Sequence, residues 1–129
     1  MKKNLILIVI FYFVLIISSY GAASGDAGST NYYKKGESLI KRAKKLEKKG
    51  KIKKANKRYE KALKYLIESN IEKPNQPDTL NYLGFATRKL GDYEKGEEYY
   101  LLGLQIDPDH KGINEYLGEL YVVTDRIDL

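Results

Sequence analysis

The 129-residue sequence has no cysteine, no tryptophan, a single histidine (His110) and a single methionine (Met1). Without cysteine there is no disulfide scaffold, no thiol nucleophile and no Cys/His zinc site. A histidine base would have to be His110, which falls in the turn sequence Asp107-Pro108-Asp109-His110, where a structural role is expected. No serine lies in a nucleophile elbow, and the glycines are spread at long intervals instead of gathering into a phosphate-cradling loop. Paired carboxylates remain, with Glu115 and Glu119 one helical turn apart and Glu97 and Glu98 adjacent. Like charges at that spacing repel by roughly 0.2–0.5 kcal/mol, so Glu115 and Glu119 await a basic ligand or are simply solvated. The expectation is a protein that is not an enzyme and uses no cofactor or metal.

Net charge is +6, from 23 Lys and Arg against 17 Asp and Glu, and that sum conceals a polarity. Residues 34–64 carry 15 basic and 3 acidic residues, or +12, whereas residues 65–129 carry 6 basic and 13 acidic, or −7. Read as function, the lysine-rich stretch 41–64 attaches to an anionic surface such as lipid headgroups or an acidic polymer, to an acidic protein, or to the acidic half of a neighbouring copy. Nucleic acid fits poorly, because no platform of aromatic side chains interleaves the lysines. The plainer reading is a solvated face. Leu39, Ala43, Leu46, Ile52, Ala55, Tyr59 and Ala62 supply a buried stripe and leave the lysines to the outside.

The first 23 residues pose a different physical problem. Lys2 and Lys3 precede thirteen unbroken apolar residues, Leu5 to Ile17, followed by Ser18, Ser19 and the small run Gly21-Ala22-Ala23. That is the order of a secretory signal peptide. As a helix the apolar run is about 20 Å long, short of a hydrocarbon core of about 30 Å. Cleavage after Ala23 would leave 106 residues starting at Ser24. The expected location is exported, in a bacterial periplasm; the alternative is an uncleaved inner-membrane anchor over residues 5–23. Residues 24–31, SGDAGSTN, have no apolar periodicity and read as a flexible linker before a domain at 32–129.

That domain repeats itself. Placing Gly50 over Gly91 aligns Leu39 with Leu80, Ala43 with Gly84, Ile52 with Tyr93, Ala55 with Gly96, Tyr59 with Tyr100, Ala62 with Gly103 and Leu63 with Leu104, all 41 residues apart. A second offset of 34 residues carries Leu83-Gly84 onto Leu117-Gly118. Within a unit the apolar and small residues step by three and four, which is helical spacing. Gly50 and Gly91 end one helix and admit a left-handed turn, and Asp92 is placed to cap the next. Small residues at Ala43/Gly84/Gly118, Ala55/Gly96 and Ala62/Gly103 mark close approach between helices. The fold class expected is all-α, built from antiparallel helix pairs.

Residues 77–110 resemble a tetratricopeptide repeat. Leu83-Gly84 matches the family's Leu-Gly pair, Gly91-Asp92-Tyr93 its turn, Gly96, Tyr100 and Gly103 its small, aromatic and small positions, and Pro108 its closing proline. Leu80 replaces the usual tryptophan and Thr87 the usual tyrosine. Residues 36–76 look like a divergent first unit with seven extra residues that lengthen its second helix before Pro74 and Pro77 stop it. Residues 111–129 look like a third unit that stops halfway. The resemblance implies an α-α superhelix of about two and a half repeats after the signal helix. Ile113, Tyr116, Leu117, Leu120, Tyr121 and Val122 of the last helix would then need cover from a second copy or a partner, or else descend from a longer repeat protein.

The resemblance also implies a function. In this family the first helices of successive units line a concave groove that holds a peptide or a partner helix. Carried onto this sequence, the groove positions are Ile40, Lys44, Glu47 and Lys48, then Asn81, Phe85, Arg88 and Lys89, then Glu115, Glu119 and Val122. Phe85, flanked by Arg88 and Lys89, is the expected anchor. A clamp for a C-terminal carboxylate is not supported, because Ile40, Tyr82, Gly112 and Tyr116 occupy the positions where it needs Lys and Asn. The expectation is a non-catalytic protein-interaction scaffold, with electrostatic attachment through residues 41–64 as the rival.

Overall fold

Gly50 (φ 69°) and Gly91 (φ 101°) both adopt the left-handed conformation that favours glycine, and each closes a helical hairpin. The computed structural model describes residues 27–126, which form five α-helices and no strand. They are α1 (Ala27–Lys48), α2 (Ile52–Glu72), α3 (Pro77–Lys89), α4 (Tyr93–Ile106) and α5 (Lys111–Val123). Each helix packs on the next, and α3 also touches α1 and α5. Two hairpins, α1–α2 and α3–α4, are thus followed by a fifth helix. The proposed signal segment, residues 1–23, lies outside the described residues. No helix among the described residues is long and apolar enough to cross a membrane.

Helix starts follow the sequence chemistry. Pro77 opens α3 where its missing N–H costs nothing, with Asp78 in the first turn. The carboxylate of Asp92 accepts from the Lys95 backbone N–H at 3.0 Å and caps α4, as expected. His110 caps α5: its Nδ1 accepts from the Ile113 N–H at 3.1 Å. That nitrogen therefore carries no proton, and Nε2–H donates to Asp78 Oδ1 at 3.0 Å. The turn histidine is a joint between α5 and α3.

The seven extra residues of the first unit appear as length in its second helix, since α2 has 21 residues and α4 has 14. Those added turns need a partner, and an extended α1 supplies it. Leu66 and Ser69 on α2 are buried, and a side chain at Gly36 would meet Leu66 Cγ at 2.6 Å. Tyr32 stacks on Tyr65 with centroids 6.2 Å apart, and Tyr33 lies 6.0 Å from Tyr82. Of the segment 24–31 expected as a linker, residues 27–31 are helical, because α1 begins at Ala27. Once Tyr32 and Tyr33 are anchored, each further residue adds a backbone hydrogen bond without a new nucleus, so even a polar run propagates.

The main core lies between α1, α2 and α3, built on Leu39, Ile40, Ala43, Tyr59, Leu66, Leu80 and Phe85. Ile52, expected in the buried stripe, is 51 % exposed. It is the first residue of α2, beyond the end of α1, and nothing remains there to cover it. A second cluster holds Tyr100 of α4 with Ile113, Leu117 and Leu120 of α5. This corrects the expectation that the last helix needs outside cover for its whole apolar face. α4 admits α5 closely because Gly103 leaves room for Ile113, whose Cδ1 would lie 2.4 Å from an added Cβ. Only Val122 and Val123, near the end of α5, stay open.

Candidate functional site

The side chains of α1, α3 and α5 converge on a cleft of about 290 Å³ lined by Lys44, Glu47, Lys48, Phe85, Lys89, Tyr116 and Glu119. Its floor is aromatic. The Phe85 ring lies 4.6 Å from that of Tyr116 and meets Tyr59 edge-on at 5.9 Å. Cations pack against these rings. Lys44 Nζ lies 5.1 Å from the Phe85 centroid and 5.2 Å from that of Tyr116, and it donates to the Tyr116 hydroxyl at 3.0 Å. Lys89 Nζ and the Arg88 guanidinium lie 5.7 and 5.2 Å from the Phe85 centroid. Each such contact is worth about 0.5–2 kcal/mol, more as water is excluded.

Charge pairing then decides which of these cations are available. Arg88 is 6 % exposed, and a buried guanidinium must be paired. Its Nε donates to the Tyr100 hydroxyl at 3.2 Å and its Nη2 bonds Glu119. Lys89 is held by Glu47 at 2.7 Å, and the other oxygen of Glu47 accepts from the Tyr59 hydroxyl at 2.8 Å. Burial pushes the Glu47 carboxyl up, but hydrogen bonds from Lys89 and Tyr59, with the positive charge of Lys89 and Arg88, outweigh it and hold the group below its ordinary range. Burial pushes the Tyr59 hydroxyl up, and its bond to the Glu47 carboxylate pushes it further. Lys44 and Lys48 have no acidic partner among the described residues.

The sequence-expected groove residues divide. Lys44, Glu47, Lys48, Phe85, Lys89 and Glu119 come together at the cleft. Phe85 is 2 % exposed, so it is the floor of the cleft and part of the core instead of a projecting anchor. Ile40 is fully buried in the core, and Arg88 lies beneath the cleft. Asn81 is 7 % exposed, its Oδ1 has no hydrogen-bond partner, and its amide nitrogen lies so near Gly112 that a Cβ there would come within 2.6 Å. Glu115 is exposed and does not pair as Glu119 does, and Val122 is 62 % exposed away from the cleft.

Tyr116, which the sequence places on the apolar face of the last helix and at a clamp position that it fails to meet, lines the cleft. Its i, i+3 spacing to Glu119 on α5 was the available signal. The remaining carboxylate pair is accounted for structurally. Glu97 takes a two-pronged contact from Arg126 at 2.7 and 3.3 Å, and Glu98 pairs with Lys95. Among the described residues no group of three or more His, Asp or Glu could hold a metal ion. No family model matches the chain, and no curated protein matches it.

Proposed function

We propose that this chain is an exported, non-catalytic docking scaffold of tetratricopeptide type, and that the cleft between α1, α3 and α5 receives a segment of another protein bearing an acidic side chain. The repeat spacing, the two glycine-closed hairpins and the contacts of α3 with both α1 and α5 support the superhelix reading. One observation carries the choice of ligand. Every acid at the cleft is already bound to a cation or hydroxyl, whereas Lys44, over the aromatic floor, and Lys48, elsewhere in the lining, have no carboxylate partner. A peptide carboxylate placed there gains a charge-assisted hydrogen bond while its neighbouring apolar residue covers aromatic surface.

The test is selection from a displayed random-peptide library. Enrichment of sequences with Asp or Glu beside an apolar residue is expected, and Lys44→Glu with Lys48→Glu should abolish it while leaving the helical circular dichroism intact. No enrichment by the wild-type protein would sink the proposal. Export is tested separately by intact mass, which should show a mature chain starting at Ser24; a full-length species in the membrane fraction would favour the anchor.

A further inference from the structure

A second concavity, of about 350 Å³, lies between α1 and α2 and shares no lining residue with the cleft. Lys34, Lys35, Ser38 and Arg42 of α1 and Lys61 and Tyr65 of α2 surround it, over Leu39. No acid lines it. Two acids adjoin lining residues in sequence: Glu37, beside Ser38, is engaged by Lys41 at 2.9 Å, and Glu60, beside Lys61, is exposed and does not line the concavity. Lys34, Arg42 and Lys61 have no ion-pair partner among the described residues, and the Ser38 hydroxyl makes no hydrogen bond there. Lys35 is positioned by aromatic rings: its Nζ lies 5.7 Å from the Tyr32 centroid and 5.6 Å from that of Tyr65, and those two rings stack on each other.

A solvated face explains scattered lysines such as Lys49 and Lys53. Lys34, Lys35, Arg42 and Lys61 are exposed too, but they gather around one shallow concavity with an unused hydroxyl and a ring-held ammonium. Charges of one sign in a concave wall focus their field into it and concentrate counter-ions. A carboxylate would neutralise one of the four. A phosphate group brings about 1.5–2 negative charges and three strong acceptor oxygens. Arg42 matches such a group with two parallel N–H donors, whereas the lysines act as point charges.

We propose that this pocket binds a phosphorylated ligand with at least two negative charges, Arg42 and Lys61 gripping the phosphate, Lys34 and Lys35 completing neutralisation, and Ser38 donating a hydroxyl hydrogen bond. Such phosphate reaches the protein as a free oligophosphate or as a phosphorylated lipid headgroup. Two probes separate these sources: inorganic tripolyphosphate followed by titration calorimetry, and phosphatidylcholine vesicles containing phosphatidylinositol 4-phosphate followed by co-sedimentation. Two double variants of equal charge loss are compared with the wild type, Arg42→Gln with Lys61→Gln in the pocket and Lys49→Gln with Lys53→Gln about 12 Å or more along the hairpin from Lys61.

In about 150 mM salt, the pocket variant should weaken binding at least about tenfold and the distant variant less than about twofold. Saturable binding of tripolyphosphate identifies the free anion as sufficient; binding confined to the vesicles, with the same variant pattern, identifies the headgroup. Equal loss in both variants, or no saturable binding of either probe, overturns the pocket. Circular dichroism of each variant guards against loss of fold.

Discussion

At the scale of single residues, glycines in equivalent repeat positions carry opposite consequences. Gly84 and Gly118 occupy matching places, after Leu83 and Leu117. A Cβ on Gly84 would lie 2.5 Å from the ring of buried Tyr100, which is itself held by Arg88, so the ring cannot yield freely. A Cβ on Gly118 would meet nothing within 4 Å. Gly118→Ala should therefore stabilise the protein by about 0.5–1 kcal/mol through helix propensity alone. Gly84→Ala should destabilise it by about 1–3 kcal/mol through overpacking. Urea denaturation measures both; the same sign for the two substitutions would refute the distinction. Repeat spacing identified the small positions, but it could not reveal that the position at Gly118 has no helix packed against it among the described residues.

At the scale of helices, the cleft is also a structural junction, because Glu47 of α1 joins Tyr59 of α2 and Lys89 of α3. The sign of its pH effect follows from its lowered folded pKa. Its stabilisation is present above the unfolded carboxylate value of about 4.3 and is lost as pH falls through the lower folded value. Glu47→Gln should lower the urea midpoint near neutral pH and flatten its fall below about pH 4.3. An unchanged acid limb would show that the junction does not hold the three helices together. Phe85→Ala should cost about 3–5 kcal/mol, since it removes the shared floor of three helices. A loss of peptide binding in that variant would therefore reflect lost folding, and Lys44 and Lys48 are the informative sites. Helix count, the hairpin turns and the added length of α2 were legible because glycine, proline and apolar spacing act locally. The burial of Phe85 and the pairing of Arg88 with Glu119 were not, because Phe85 is covered by distant α1 and α2 as well as by Tyr116, and Arg88 meets a helix 31 residues further on.

For the whole molecule, the question is whether its two oppositely charged halves neutralise each other. Contact geometry says that they do not. Among the described residues, no acid of 65–126 pairs with a base of 34–64; the ion pair of Lys89 with Glu47, between the halves, uses the minority charge of each. The +12 of residues 34–64 is therefore concentrated on one hairpin, where residues three or four apart on a helix have Cβ atoms about 5–6 Å apart. Short-range repulsion within α1–α2 should outweigh the longer-range attraction to the acidic half, because Coulomb energy falls with distance. Sodium chloride should then stabilise the protein. Raising it from about 10 to about 150 mM shortens the screening length from about 30 to about 8 Å, and the thermal midpoint read at 222 nm should climb by about 2–5 °C. Replacing Lys49, Lys53 and Lys57 by glutamine should raise the midpoint at low salt and shrink the salt response together, since both draw on the same repulsion. A midpoint that falls with salt would mean that attraction between the halves is the larger force.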